Sequence, residues 1–425
     1  MTDAVRWTSP FCLLLCDALR VRADPAGHAL ELAEGECAAA RIGLARFTAA
    51  PSTAAPRVGG REVAPADALD AAARILAAAR QPLFGGLGTD VAGARALYPL
   101  ARDTGAICDP AAGEALMRSV RPLQDRGGYS TTLAEVRNRA DLVVWLDGMP
   151  DGDAAELLAR CDIGTPGSPP RRLVLLGGTP EERAALQALD GQGGLRTQHV
   201  PLHGDLFDTV ALLAALAARR MPPQAAPALQ ALADQLLAAR YGVLVGRTAR
   251  LPAHGALIVE AVARLVGTLN AGTRAATLWL GGGNGAGTVN QVFTWLSALP
   301  LRTRAGPHGP EHDPVCFDTA RLLADGAVDC VLWLSCFDPD CTPPPSALPL
   351  IVLGHPGLAP SAAREGDVFM PVSTPGIGSA GHLFRADGGT VLPLSALYRD
   401  TLPALPEVLA QLTQRVRGLR AGARA

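Results

Sequence analysis

Short, nearly unbroken apolar runs alternate with amphipathic stretches along most of the chain. The runs "QPLFGGLG", Leu142–Leu146, "RRLVLLGG", "YGVLVG", "AATLWL", "DCVLWLSC", "LPLIVLG" and "GDVFMPVS" have the continuous hydrophobicity of strands buried on both faces. Between them, "TDVAGARALYPLARDTG", "AEVRNRA", "TPEERAALQAL", "PALQALADQLLAAR", "GALIVEAVARLVGTLN", "GTVNQVFTWL" and "DTARLLADG" carry helical spacing. Start signals sharpen two of these helices. Thr89 or Asp90 stands at the head of the first. Thr179, with Pro180 after it and Glu182 three residues on, predicts a capping box.

Strands alternating with helices predict an α/β chain of parallel sheets covered on both faces. Its 425 residues are long enough for at least two such units. The expected division is a small cysteine-bearing N-terminal segment over residues 1–60, a first α/β region over 61–240, and a second, with a C-terminal segment, over 241–425. Loops are expected at residues 49–65, 164–170 and 219–227, where Pro, Gly, Ala, Ser and Thr concentrate.

Composition narrows the partners. The chain is 48% hydrophobic and 18% charged, with a formal net charge of −2. That balance argues against nucleic acid or an anionic membrane surface. No apolar run reaches the length of a bilayer span, and no signal-type segment opens the chain, so the expected location is the cytoplasm. All 38 basic residues are arginine, which excludes a Schiff-base lysine and a P-loop lysine.

Candidate chemistry begins with the nine cysteines, too many to ignore and wrongly spread for a disulfide framework. Cys108, Cys161, Cys316, Cys330, Cys336 and Cys341 are scattered and read as small core residues. Cys12, Cys16 and Cys37 are not scattered: three thiols near the start of the chain suggest an iron–sulfur or zinc site, which ordinarily takes four ligands. The loop "GGGNGAGTVN", residues 281–290, offers either a phosphate cradle or a sterically tight strand–helix turn, and it lacks a clean dinucleotide fingerprint. "GPHGPEHDP" gathers His308, Glu311, His312 and Asp313, but its prolines read as a solvated loop. "CFDPDC", Cys336 to Cys341, reads as a loop after a strand.

Several stretches resemble a known family. "TTLAEVRNRADLVVWLDGMP" is similar to the "TLGEVKNRADVVV" stretch in the B subunit of formylmethanofuran dehydrogenase. "PFCLLLCDAL…GECAAARIGLARF", "GGGNGAGTVNQVFTWLSALPLRT" and "FMPVSTPGIGSAGHLFRADG" extend the resemblance over nearly the whole chain. It is most like the bacterial form found in the formyltransferase/hydrolase complex of methylotrophs. The resemblance implies a fold related to the molybdopterin oxidoreductases of the formate-dehydrogenase type. Redox members of that family carry a tungsten or molybdenum pterin and a four-iron cluster.

Laid on this chain, the four cluster positions of the family fall on Ser9, Cys12, Cys16 and Cys37. The "VCHGP" motif, whose cysteine holds the metal, falls on Glu114 to Arg118, so the metal ligand becomes Ala115 and the adjacent histidine becomes Leu116. The resemblance therefore implies that molybdopterin, its metal and the four-iron cluster are lost, with no cofactor in this chain and no catalytic residue. The segment "FCLLLCDALRV" is then expected to pack as an apolar strand, with Cys12, Cys16 and Cys37 as small buried hydrophobes.

The implied role is a non-redox scaffold subunit of a complex that converts formyl-tetrahydromethanopterin to formate through a formyl-methanofuran analogue. Its implied partners are a zinc amidohydrolase-like hydrolase, a formyltransferase and a third subunit, with the methanofuran analogue as a further ligand. Two alternatives stand beside it. One is an active molybdenum or tungsten pterin subunit; the other is a freestanding cofactor-binding α/β enzyme built on the glycine loops.

Overall fold

The computed structural model describes residues 3–24, 29–47, 54–148, 154–220, 226–358, 364–399 and 401–423. His28 and parts of the loops expected at 49–65 and 219–227 lie outside the described residues. The chain folds into two compact units, one formed by residues 1–113 with 282–425 and the other by residues 114–281. This division differs from the sequential one over 1–60, 61–240 and 241–425. The reason is strand pairing: Cys330–Ser335 lies parallel beside Pro82–Gly88, so distant parts of the chain share one sheet. The first crossing between units falls at Gly113 and the second in the glycine loop, between Gly281 and Gly282.

The unit of residues 114–281 is built on a five-stranded, all-parallel sheet. Its order is Arg196–Val200, Arg172–Leu176, Leu142–Leu146, Gly242–Arg247, Ala275–Leu280. In chain order that is 3-2-1-4-5, the doubly wound arrangement. Val144 and Leu244 on its central strands are fully buried, as apolar strands covered on both faces require. The helices Leu206–Ala217, Pro227–Ala238 and Gly255–Leu269 place Val210, Leu213, Leu232, Leu236, Val262 and Leu265 in one core with that sheet. Thr179 and Glu182 form the predicted capping box at the head of helix Pro180–Ala188.

The other unit carries a nine-stranded mixed sheet. Its order is Gly309–His312, Thr303–Gly306, Ile107–Pro110, Pro82–Gly88, Cys330–Ser335, Leu350–Gly354, Val368–Pro371, Arg57–Val58, Arg61–Glu62. The five middle strands are parallel and run 2-1-3-4-5 in chain order, a second doubly wound pattern. The strands at both edges are antiparallel. Asp90 caps helix Val91–Thr104 by accepting the Gly93 amide at 2.9 Å. The C-terminal helix Leu405–Gly422 packs against both that helix and Pro65–Ala78.

A three-stranded antiparallel sheet, Val5–Trp7, Leu19–Ala23 and Leu30–Glu34, opens the chain. Trp7, 1% exposed, anchors it by donating its indole N–H to the Gly376 carbonyl at 2.6 Å. The architecture is thus α/β, with parallel and mixed sheets and a small cysteine-rich N-terminal segment. No helix among the described residues is long and apolar enough to cross a membrane.

Two local expectations change. The segment "FCLLLCDALRV" is not one strand: residues 10–14 form turns, and the strand begins only at Leu19. Pro10 and the left-handed Leu15, at φ 47°, break the extended run. "GPHGPEHDP" is not a solvated loop but the turn and second strand of an antiparallel hairpin, Thr303–Gly306 with Gly309–His312. Its Pro310 is tolerated because that strand is the sheet's edge.

Candidate functional site

The N-terminal turns bring three thiols to one place. The Leu15 amide donates to the Cys12 carbonyl at 2.9 Å, and the Ser9 amide donates to the Cys16 carbonyl at 2.9 Å. These bonds fold the segment back on itself, so Cys12 and Cys16 face each other with a thiol–thiol hydrogen bond of 3.3 Å. Cys37 arrives from the other side as the N-cap of helix Ala38–Ala45, its sulfur accepting from the Ala40 amide at 3.4 Å. The three Sγ atoms lie within 4.8 Å of one another. All three residues are buried, and Ser9 is fully buried with its hydroxyl accepting from the Phe11 amide at 3.3 Å.

Electrostatics favour the protonated form of Cys12 and Cys16 in the absence of a cation. Hydrogen bonds with Cys12 and Cys37, followed by burial, push the Cys16 thiol far above its ordinary range. For Cys12, the bond from Cys16 favours the thiolate, but Cys37 and burial outweigh it and the thiol is raised. A four-iron cluster is ordinarily held by four thiolates on separate irons; here the three sulfurs lie within 4.8 Å of one another, and a serine stands at the fourth family position.

The positions expected to have lost the pterin metal lie on helix Gly113–Arg126. Ala115 and Leu116 are half-buried, and Met117 is buried. Arg118 donates from Nη1 to the Thr248 carbonyl at 3.1 Å, and its chain lies against the backbone of Gly255. None of the helix's side chains is a thiol or an imidazole. Just before it, Asp109 is committed to structure. It accepts from Arg302 Nε at 3.0 Å and from the Thr319 amide and hydroxyl at 2.8 and 2.7 Å. Arg302 also reaches Asp318 at 2.5 Å and the Pro314 carbonyl. Burial raises the Asp109 carboxyl, while Arg302 and Thr319 pull it back.

A polar cluster that sequence reasoning missed lines the carboxyl ends of the nine-stranded sheet. Thr89 and Asp90 follow Pro82–Gly88, Cys336 and Asp338 follow Cys330–Ser335, and His355 follows Leu350–Gly354. Asn284, from the glycine loop, donates to Ser335 Oγ at 3.0 Å. Asn284 Oδ1, His355 Nε2 and Ser373 Oγ are buried and find no partner among the described residues. The signal available in sequence was positional: in doubly wound sheets, ligands bind beyond the strand ends where the strand order reverses.

The glycine loop itself has steric reasons for its composition. Gly285 is left-handed at φ +74°, and a Cβ there would stand 2.4 Å from the Thr89 carbonyl oxygen. The "CFDPDC" segment is a loop, as expected, and Asp338 and Asp340 hold Arg46 at 2.6 and 2.5 Å. His312 and Glu311 are engaged locally, with the Arg302 carbonyl and with Arg304. Among the described residues, the three cysteines are the one group of three or more histidine, cysteine or acidic side chains close enough to share a metal ion.

Comparison with known proteins places these features in context. No protein-family model matches the chain. The chain is 31% identical over 354 residues to the B subunit of the formyltransferase/hydrolase complex Fhc of Methylorubrum extorquens, covering 82% of this chain and 93% of that protein. In structure it matches a chain of the X-ray crystal structure of the formyltransferase/hydrolase complex (FhcABCD) from Methylorubrum extorquens in complex with methylofuran. The TM-score is 0.73 at 29% identity, with 87% of this chain and 100% of that chain covered.

Proposed function

The chain belongs to the B-subunit family of the formyltransferase/hydrolase complex, and we propose that it serves as the non-redox scaffold of such a complex. In this reading it assembles with a hydrolase of the zinc amidohydrolase type, a formyltransferase and a third subunit. The assembly passes a formyl group from formyl-tetrahydromethanopterin to a methanofuran analogue and releases it as formate. This chain supplies binding surface, not chemistry. Its two doubly wound units are related to the molybdopterin oxidoreductase fold and serve here without the pterin.

The observation that carries the non-redox assignment is the pair Ala115–Leu116. A molybdenum or tungsten centre in this family takes a cysteine thiolate and a neighbouring histidine there, and a methyl group and an isobutyl group can neither ligate a metal nor move a proton. Ser9 supports the same reading, since a serine hydroxyl is a poor ligand for iron–sulfur chemistry. The redox alternative would require a ligand set that this helix does not contain.

Co-expression tests the assignment. An affinity-tagged chain should co-purify with the hydrolase, formyltransferase and third subunits in fixed stoichiometry. The purified complex should release formate from formyl-tetrahydromethanopterin, and omitting this chain should break up the assembly. A chain that purifies as a monodisperse monomer and turns over a formyl or redox substrate alone would overturn the scaffold role.

A further inference from the structure

The three-cysteine cluster has a geometry of its own. A tetrahedral ion with metal–sulfur bonds of about 2.3 Å spaces its sulfurs about 3.8 Å apart. Cys12, Cys16 and Cys37 hold their sulfurs within 4.8 Å of one another, with Cys12 and Cys16 at 3.3 Å. Sulfurs this close together are within reach of one shared ion. A four-iron cluster would instead have to push them apart onto separate irons.

Three further features suit a cation. The residues that supply the sulfurs are 8% exposed or less, so water does not screen the site. Cys37 sits on the N-terminus of helix Ala38–Ala45, whose first turn holds no acidic residue, so the helix end favours a thiolate. The bonds between residues 9 and 16 and between 12 and 15 fix the backbone of two ligands before any ion arrives.

We propose that Cys12, Cys16 and Cys37 form a binding site for a single thiophilic cation, Zn²⁺ or Cu⁺, in place of a four-iron cluster. Soft thiolates select these ions. Each ligating thiol gives its proton to solvent, the metal keeps its oxidation state, and no oxidant or reductant is needed. Three thiolates suffice for a cuprous ion. Zinc takes a fourth ligand, which a single water would supply. The role is structural: the ion ties the turn over residues 9–16 to the head of the helix at Cys37. The site stands whether or not the chain assembles with partner subunits.

Metal analysis of the purified complex, compared with the same complex carrying Cys12→Ser/Cys16→Ser, isolates this site from any metal held by other subunits. The expected difference is about one zinc or one copper per copy of this chain, as for a structural thiolate site. Separate quantification of the two elements decides which ion it is. A Cys336→Ser control, at a buried thiol outside the cluster, should retain the metal. Cobalt loading of the unmutated chain makes the test independent of whether the double variant folds. It should give intense thiolate-to-cobalt absorption with tetrahedral ligand-field bands. Three freely titrating thiols with no bound metal, a Cys12–Cys16 disulfide, or four irons with inorganic sulfide would each overturn the proposal.

Discussion

His355 shows how much one buried side chain can commit a protein to a pH range. Its ring packs on Phe47 with centroids 4.4 Å apart, and its Nδ1 accepts from the Gly357 amide at 2.9 Å. The neutral ring therefore carries its proton on Nε2, which is buried without a partner among the described residues. Burial, reinforced by nearby Arg46, lowers its pKa from 6.5 to about 4. The unfolded chain thus binds a proton in a range where the folded chain does not. The stabilising contribution of the neutral ring is complete above about pH 6.5 and is lost as pH falls toward 4, a change of about 3 kcal/mol at most. Unfolding of the unit that carries His355, followed against pH, should show that slope, and His355→Gln should flatten it between pH 4 and 6.5. A second residue-scale prediction concerns Asp109 and Arg302, each with a side chain only 2% exposed. Asp109→Asn removes one of the two carboxylates around the buried Arg302 guanidinium, leaving Asp318, and should cost about 1–3 kcal/mol in denaturant unfolding.

At the scale of elements, the glycine loop is the most constrained connection. Gly285 heads helix Ala286–Ser297 in a left-handed conformation against the Thr89 backbone. Gly285→Ala would add both backbone strain and a clash with a carbonyl that cannot swing aside, about 2–4 kcal/mol together. Gly272→Ala, in a turn where an added Cβ meets nothing within 4 Å, should change stability by less than about 0.5 kcal/mol. Parallel thermal melts of the two variants check the contrast. A small cost at Gly285 would mean that the loop yields more readily than its close approach to Thr89 implies.

At the scale of the molecule, the scaffold reading makes a statement about surface. Trp295, 67% exposed, shares helix Ala286–Ser297 with the exposed Leu296, and Tyr129, Leu257 and Ile42 are also exposed. Large exposed apolar side chains are what an obligate interface covers, and such interfaces often bury about 2,000 Å² or more. Expressed alone, the chain should self-associate, and co-expression with its partners should restore a single species on size-exclusion chromatography. The same complex should contain no molybdenum, no tungsten and no extractable pterin. Stoichiometric amounts of any of these would return the chain to the redox branch of the family.

Local chemistry was legible in the chain before any fold was known. Continuous apolar strands between amphipathic helices determined the α/β class, because parallel sheets must be covered on both faces. Thr179, Pro180 and Glu182 announced their capping box, and Thr89 or Asp90 the head of a helix, where the structure places Asp90, because a cap depends on a few adjacent residues. The family motif put Ala115, Leu116 and Ser9 in question by their residue types alone. Tertiary structure decided what depends on distant partners. Cys330–Ser335 beside Pro82–Gly88 made one unit from two separated stretches. The sheet's strand order then set His355 and Ser373 beyond the ends of neighbouring strands, and the glycine loop brought Asn284 to Ser335. The convergence of Cys37 with Cys12 and Cys16 is of the same kind. Sequence spacing fixes the residue types and the length of chain between them, whereas a shared site depends on how turns and helices fold that chain back in space.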